Sequence, residues 1–168
     1  TKVETLGKSA FSGCTGITGV ILPTTLKNIG SKDSGSVFRG CTGMEYVRTA
    51  GGDEDAVFEL PETLQTIGRQ SFYGCTGFPD NTSVTIPSSV TYVGSEAFYY
   101  ADPITDIFVE TDDASSYDGA AFKGNSRSGY GLGKRLIIFK DSASKKTFKP
   151  SGLSSYKNAV TYEFLLYY

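Results

Sequence analysis

Histidine and tryptophan are absent from this 168-residue chain, methionine occurs once and cysteine three times. Without histidine there can be no Ser-His or Cys-His nucleophile pair, and the commonest transition-metal ligand is missing. Three cysteines leave one unpaired in any disulfide scheme, and no Cys-x-x-Cys spacing suggests a metal or redox centre. An excess of one charge is lacking too. Sixteen basic residues (16 Lys+Arg) face 18 acidic ones for a net charge of −2, and the basic residues are scattered, with Lys145-Lys146 a pair near the C-terminus. Nucleic acid is therefore not an expected partner, because phosphate recognition needs a clustered basic surface. No apolar run approaches the roughly 20 residues that cross a bilayer; the last stretch, Phe164-Leu165-Leu166-Tyr167-Tyr168, is far too short, so no membrane insertion by this segment is expected. The chain starts at Thr1 with no basic start followed by an apolar run, and no leader is expected within it.

What is present is repetition. Leu6-Gly7-Lys8-Ser9-Ala10-Phe11-Ser12-Gly13-Cys14-Thr15-Gly16 recurs as Ile67-Gly68-Arg69-Gln70-Ser71-Phe72-Tyr73-Gly74-Cys75-Thr76-Gly77. A third copy runs Val93-Gly94-Ser95-Glu96-Ala97-Phe98. A fourth is split into Ile29-Gly30 and Val37-Phe38-Arg39-Gly40-Cys41-Thr42-Gly43, and a fifth survives as Ala120-Ala121-Phe122-Lys123-Gly124-Asn125. Between them lies a second block: Ile21-Leu22-Pro23-Thr24-Thr25-Leu26, Glu59-Leu60-Pro61-Glu62-Thr63-Leu64 and Thr85-Ile86-Pro87-Ser88-Ser89-Val90. Gly7 to Gly30 is 23 residues and Gly68 to Gly94 is 26, whereas Gly30 to Gly68 is 38. The extra residues fall at 31–36 and near 50–56, rich in Gly, Ser and Asp as surface loops are.

Each repeat predicts one coil. Val20 and Leu22 alternate on a short strand that Pro23 ends, since proline cannot donate to a ladder. Leu26 and Ile29 return to the interior, a glycine turns the chain, and the Ala-Phe pair follows on a short helical or 3-10 turn. One such coil cannot bury its apolar side alone; stacked coils bury it against their neighbours. The predicted fold is thus a solenoid of short parallel strands in a curved right-handed coil, with short helical turns and loops on the other side. Residues 1–140 form the array of about five imperfect repeats and residues 141–168 a capping segment.

These blocks resemble the BspA-like leucine-rich repeats of bacterial surface antigens, whose repeat looks like L-x-x-I-G-x-x-A-F-x-G-C-x-x-L-x-x-V-x-I-P-x-S-V. Val90-Thr91-Tyr92-Val93-Gly94-Ser95-Glu96-Ala97-Phe98 matches one half, and Val84-Thr85-Ile86-Pro87-Ser88-Ser89-Val90 the other. The likeness covers about residues 3–140, and Tyr156-Lys157-Asn158-Ala159 looks like the end of the family's terminal repeat. Departures gather toward the C-terminus: Ala101 and Asn125 stand where cysteine stands in Cys14, Cys41 and Cys75, and Leu136-Ile137-Ile138-Phe139-Lys140 replaces the Ile-Pro ending. The resemblance implies an extracellular or cell-surface bacterial protein used for adhesion or ligand binding, and it brings no catalytic residues or cofactor.

Cysteines at one position of neighbouring coils lie about 4.8 Å apart and point the same way, whereas a disulfide needs facing Cβ atoms about 3.8 Å apart. Cys14, Cys41 and Cys75 are therefore expected as buried, reduced, space-filling thiols. Asp53-Glu54-Asp55 and the group Asp112, Asp113, Asp118 lack the alternating ligand pattern of a calcium loop and are expected as solvated loops. Gly129-Tyr130-Gly131-Leu132-Gly133-Lys134 is similar to a phosphate cradle, but Ser128 and Arg135 stand where the motif needs Gly and Ser or Thr. No metal and no cofactor are expected.

Binding residues are sought on the outward strand positions, which a solenoid leaves free to vary. Aligning the repeats puts Ile21, Glu59, Thr85, Phe108 and Ile137 in that row, with Tyr46 and Arg48 as the alternative for the repeat that carries the insertion. Exposed Ile21, Phe108 and Ile137 would mark a contact face unless loops or neighbouring domains cover them. Tyr73, Tyr99, Tyr100, Tyr117 and Tyr130 lie in turns or insertions, where rings suit sugar or protein contacts or pack beneath loops. The predicted role is a surface-displayed or secreted module that recognises a protein or glycan and is not an enzyme. The alternatives are a structural spacer in a larger surface protein and a hydrolase using two carboxylates across a cleft.

Overall fold

The computed structural model describes residues 2–123, 136–147 and 159–161. In chain order its elements are β1 (Thr5–Leu6), β2 (Gly19–Leu22), β3 (Asn28–Ile29), β4 (Tyr46–Thr49), β5 (Thr66–Ile67), β6 (Thr82–Ile86), β7 (Tyr92–Val93), β8 (Ile104–Val109), β9 (Leu136–Phe139), α1 (Ser142–Thr147) and β10 (Ala159–Thr161). All strand pairing among the described residues is parallel, as it must be when each coil lies on the one before it. The segment 129–134 and the end of the predicted terminal repeat at 156–158 lie outside the described residues.

The coils present three ladders. The first joins β1, β3, β5 and β7, setting Leu6, Ile29, Ile67 and Val93 in one row, and a bridge from Val93 to Tyr117 carries it into the fifth coil. These strands are two residues long because a glycine follows each. At Gly94 a Cβ would fall against the backbone of Gly68 and Arg69, so the coils touch main chain to main chain there.

The second ladder contains the phenylalanines. Phe11, Phe38, Phe72, Phe98 and Phe122 stack with centroids 5.4, 5.4, 5.4 and 6.1 Å apart. The flanking chain runs as linked hydrogen-bonded turns and not as the helical turns the sequence suggested. Alternate N–H groups close the turn within the coil, as from Ser12 to the Ser9 carbonyl, or reach the next coil, as from Phe11 to the Val37 carbonyl. That alternation goes with left-handed backbone two residues before and two after each of the first four phenylalanines. Ser9, Ser36, Gln70 and Glu96 supply the first position, with φ of 54° to 59°; Gly13, Gly40, Gly74 and Tyr100 supply the second.

The third ladder is the long-strand face. Here β2 pairs with β4, and β6, β8, β9 and β10 form a second sheet. Between them the insertion adds a rung: Phe58 bridges Val47, so residues 57–59 lie beside β4. Two rungs thus separate Phe38 from the next coil on this face, against one on the other two. Among the described residues no backbone pairing joins 57–59 to β6, and the face is interrupted at that step.

The interior unites these ladders in one cluster that runs from Leu22 to Phe139. Two hydrogen-bonded rows run through the stack. Thr25, Thr63 and Ser89 donate to the carbonyls of Val3, Leu26 and Leu64 in the preceding coil, at 2.8, 2.8 and 2.7 Å. The fifth coil lacks the Pro-Ser-Ser block, and there the Tyr117 hydroxyl donates to the Val90 carbonyl at 2.8 Å. The Cys41 and Cys75 thiols likewise donate to the Phe11 and Phe38 carbonyls at 3.0 and 3.1 Å. All three cysteines are free; Cys41 and Cys75 are buried, whereas Cys14, expected to be buried, is half-buried.

At the C-terminal end, α1 docks on the loop after β8. Ser144 Oγ donates to the Thr111 carbonyl, and Ala114 N–H donates to Thr147 Oγ1 at 2.7 Å. β10 then adds a rung to β9. No helix among the described residues is long and apolar enough to cross a membrane.

Candidate recognition surface

Strand register decides which side chains face outward, since a one-residue slip turns every side chain to the other face. Ile21 pairs with Arg48, the Val47–Phe58 bridge places Glu59 beside Arg48, and Thr85 pairs with Phe108. These five therefore share one outward row, broken between Glu59 and Thr85 where the face is interrupted. Ile21 is 56% exposed, Thr85 is exposed, and Arg48, Glu59 and Phe108 are half-buried. The insertion posed a choice between Glu59 and the pair Tyr46 and Arg48; the extra rung accommodates both.

Ile137 does not belong to this row. It pairs with Ile107 and is 2% exposed, facing the interior; Ile138 pairs with Phe108 instead. The run Leu136-Ile137-Ile138-Phe139 is apolar throughout, so no alternation in the sequence distinguishes its two faces. Ile138 is itself buried, outside the main core cluster. The accessible row therefore ends at Phe108.

Tyr46 and Arg48 are held in place by their surroundings. The Tyr46 ring occupies the space where a side chain at Gly19 would sit, and the Arg48 guanidinium lies 4.3 Å from that ring's centroid. Arg48 Nε donates to the Ala56 carbonyl at 2.7 Å, tying the inserted loop to the strand. Glu59 backs onto Gly52 of the same loop, and its Oε2, like Thr49 Oγ1, is buried with no hydrogen-bond partner.

The interruption opens a shallow cleft of about 290 Å³ lined by Asp53, Phe58, Glu59, Glu62, Thr85 and Pro87 among others. Three of its residues are acidic, and of these Asp53 and Glu62 are in open solvent and not in a dry pocket. Asp53 Oδ1 accepts the Asp55 N–H at 2.9 Å. Asp113 and Asp118 likewise accept the N–H groups of Ser115 and Ala120, both at 2.8 Å. These aspartates close Asx turns, and the bonds from Ser115 hold the Asp113 carboxyl below its ordinary value.

The loop tyrosines divide. Tyr117 is core: 4% exposed, its phenol raised well above the ordinary value by burial. Tyr73, Tyr99 and Tyr100 gather on the surface beyond the phenylalanine ladder, with ring centroids 4.1 to 5.6 Å apart. Hydrogen bonding to Tyr100, followed by burial, pushes the Tyr99 phenol up to about 12. Tyr130 lies outside the described residues. The hydroxyl row, the thiol row and the left-handed positions went unread in the sequence. The signal was there, in the repeated Thr25, Thr63 and Ser89, but their partners are backbone atoms that no residue type announces.

The BspA type leucine-rich repeat region matches residues 1–51 and 56–156, in six copies. The chain belongs to this family. Six copies exceed the five phenylalanine-centred repeats read from the sequence, and the unmatched residues 52–55 fall in the loop that Arg48 ties down. Among solved structures, a leucine-rich repeat protein of T. pallidum is similar, with 25% identity, a TM-score of 0.45, and coverage of 63% of this chain and 52% of that one. The chain thus spans about half the length of that protein. No curated protein matches. In this leucine-rich-repeat module the insertion adds an extra rung, and three tyrosines gather on the surface.

Proposed function

We propose that this chain is a recognition module of a secreted or surface-displayed bacterial protein, binding a protein or glycan, and that it catalyses no reaction. The observation that carries this reading is the outward row Ile21, Arg48, Glu59, Thr85 and Phe108. It places an exposed isoleucine beside an arginine pinned by a ring and a backbone carbonyl, which lowers the ordering cost of binding. A mixed apolar and charged strip on parallel rungs suits a protein ligand better than a small molecule, which would need a concave pocket. Residues 141–168 would close the array, with α1 and β10 covering the last coil.

The test is binding to an array of immobilised matrix and serum proteins, comparing the natural chain with Ile21→Asp. The reading expects at least one protein to be retained, and to be lost with Ile21→Asp while thermal unfolding is unchanged. Binding that ignores the substitution, or no binding to any protein, would favour the spacer reading. Antibody labelling of intact cells tests surface display separately.

A further inference from the structure

We propose that a second binding site lies on the turn face, where Tyr73, Tyr99 and Tyr100, flanked by Arg39 and Lys123, form a platform for an acidic oligosaccharide. The position after each stacked phenylalanine carries Ser12, Arg39, Tyr73, Tyr99 and Lys123, all at least partly exposed. The Arg39 guanidinium stands 4.8 Å from the Tyr73 ring centroid and the Lys123 ammonium 5.3 Å from that of Tyr99. Arg39 and Lys123 therefore flank the two tyrosines of this row. None of the three rings belongs to the core cluster, so stacking of the coils does not require them.

Tyr100 supplies an independent observation. It occupies the left-handed position that glycine fills in Gly13, Gly40 and Gly74, with φ of 56°. A bulky residue there is a backbone outlier. Space is not what selects glycine at this position, since a Cβ on Gly74 would meet nothing closer than 3.9 Å. Strain kept where an unstrained residue would fold equally well is a mark of a functional site. What the strain secures is a third ring against the other two, 4.1 Å from Tyr99 and 5.3 Å from Tyr73.

The chemistry of the platform selects the ligand class. Sugar C–H groups pack on the negative faces of aromatic rings, and the phenol groups exchange hydrogen bonds with sugar hydroxyls. A uronate or sulfate at either end would meet Arg39 or Lys123, and a guanidinium grips such groups with two parallel bonds. The carboxylate that acts on Tyr99, that of Glu96, is occupied by the Gln70 amide at 2.7 Å. Two cations are too few for nucleic acid, which needs a clustered basic surface.

Titration calorimetry with an oligogalacturonate hexamer and a heparin-derived hexasaccharide tests this site. At least one should bind. The fully methyl-esterified galacturonate hexamer, or a desulfated heparin hexasaccharide, should bind roughly tenfold more weakly than its acidic parent, the worth of one good contact. Tyr100→Gly should weaken binding by a similar factor while leaving thermal stability the same or higher, which separates loss of the site from loss of the fold. Ile21→Asp should leave sugar binding intact, so that this site and the strand face fail independently. Absence of binding by both acidic sugars at millimolar concentration would overturn the proposal. So would equal affinity for the uncharged forms, or a Tyr100→Gly variant that binds like the natural chain.

Discussion

Five coils put phenylalanine at one position of the turn face and stack the rings 5.4 to 6.1 Å apart. On the strand face the outward position is filled in turn by isoleucine, arginine, glutamate, threonine and phenylalanine. One surface repeats a single residue because it packs on its own copies; the other carries a different residue on each rung. The insertion obeys the same division. It leaves Phe38 stacked directly on Phe72, yet places an additional rung, residues 57–59, on the strand face. In a solenoid an interior stack tolerates no missing member, while the outer side of a coil can be lengthened, because loop closure grows only slowly in cost with length.

The largest effect that would break this comparison is expected at Phe72. Phe72→Ala removes a fully buried ring with neighbours on both sides and should cost about 3–5 kcal/mol. Denaturant unfolding checks it; a loss below about 1 kcal/mol would mean that the stack does not support the fold.

The next expected effect is with pH. Burial pushes the Cys75 thiol from 9.0 up to about 12 and raises the Tyr117 phenol. The folded chain then holds these protons more tightly than the unfolded chain does. Their stabilisation is complete below the ordinary thiol value of 9.0 and is lost as pH climbs toward 12. The denaturation midpoint should fall steadily above about pH 9, and Cys75→Ala should flatten that fall.

Tyr117→Phe would sharpen the comparison within the interior itself. It keeps the ring and deletes the hydroxyl bound to the Val90 carbonyl, and the unsatisfied buried acceptor should cost about 1–3 kcal/mol. The smallest effect on stability is expected on the strand face. Ile21→Asp, at an exposed position, should change unfolding by no more than about 0.5 kcal/mol. A larger loss would show that Ile21 belongs to the fold as the phenylalanines do.

Most of the fold was legible because a repeat states its own alignment. Phe11 and Phe72 sit in copies eleven residues long, and residues that match in sequence must stack if each coil is to bury its apolar side. The recognition surface was legible only where apolar and polar residues alternate. Val84-Thr85-Ile86 showed its outward residue; Leu136-Ile137-Ile138-Phe139 did not, and Ile137 proved to face the core.

By itself the sequence determined the stack, its parallel order and the absence of histidine-dependent chemistry, because each follows from residue type and spacing. Tertiary structure alone decided the rest. It made 57–59 a rung beside β4, placed Ile138 and not Ile137 in the outward row, and brought Arg39, Tyr73, Tyr99, Tyr100 and Lys123 from four coils into one patch. Such neighbours lie 24 to 34 residues apart along the chain, and only the pitch of the solenoid brings them within reach of a single ligand.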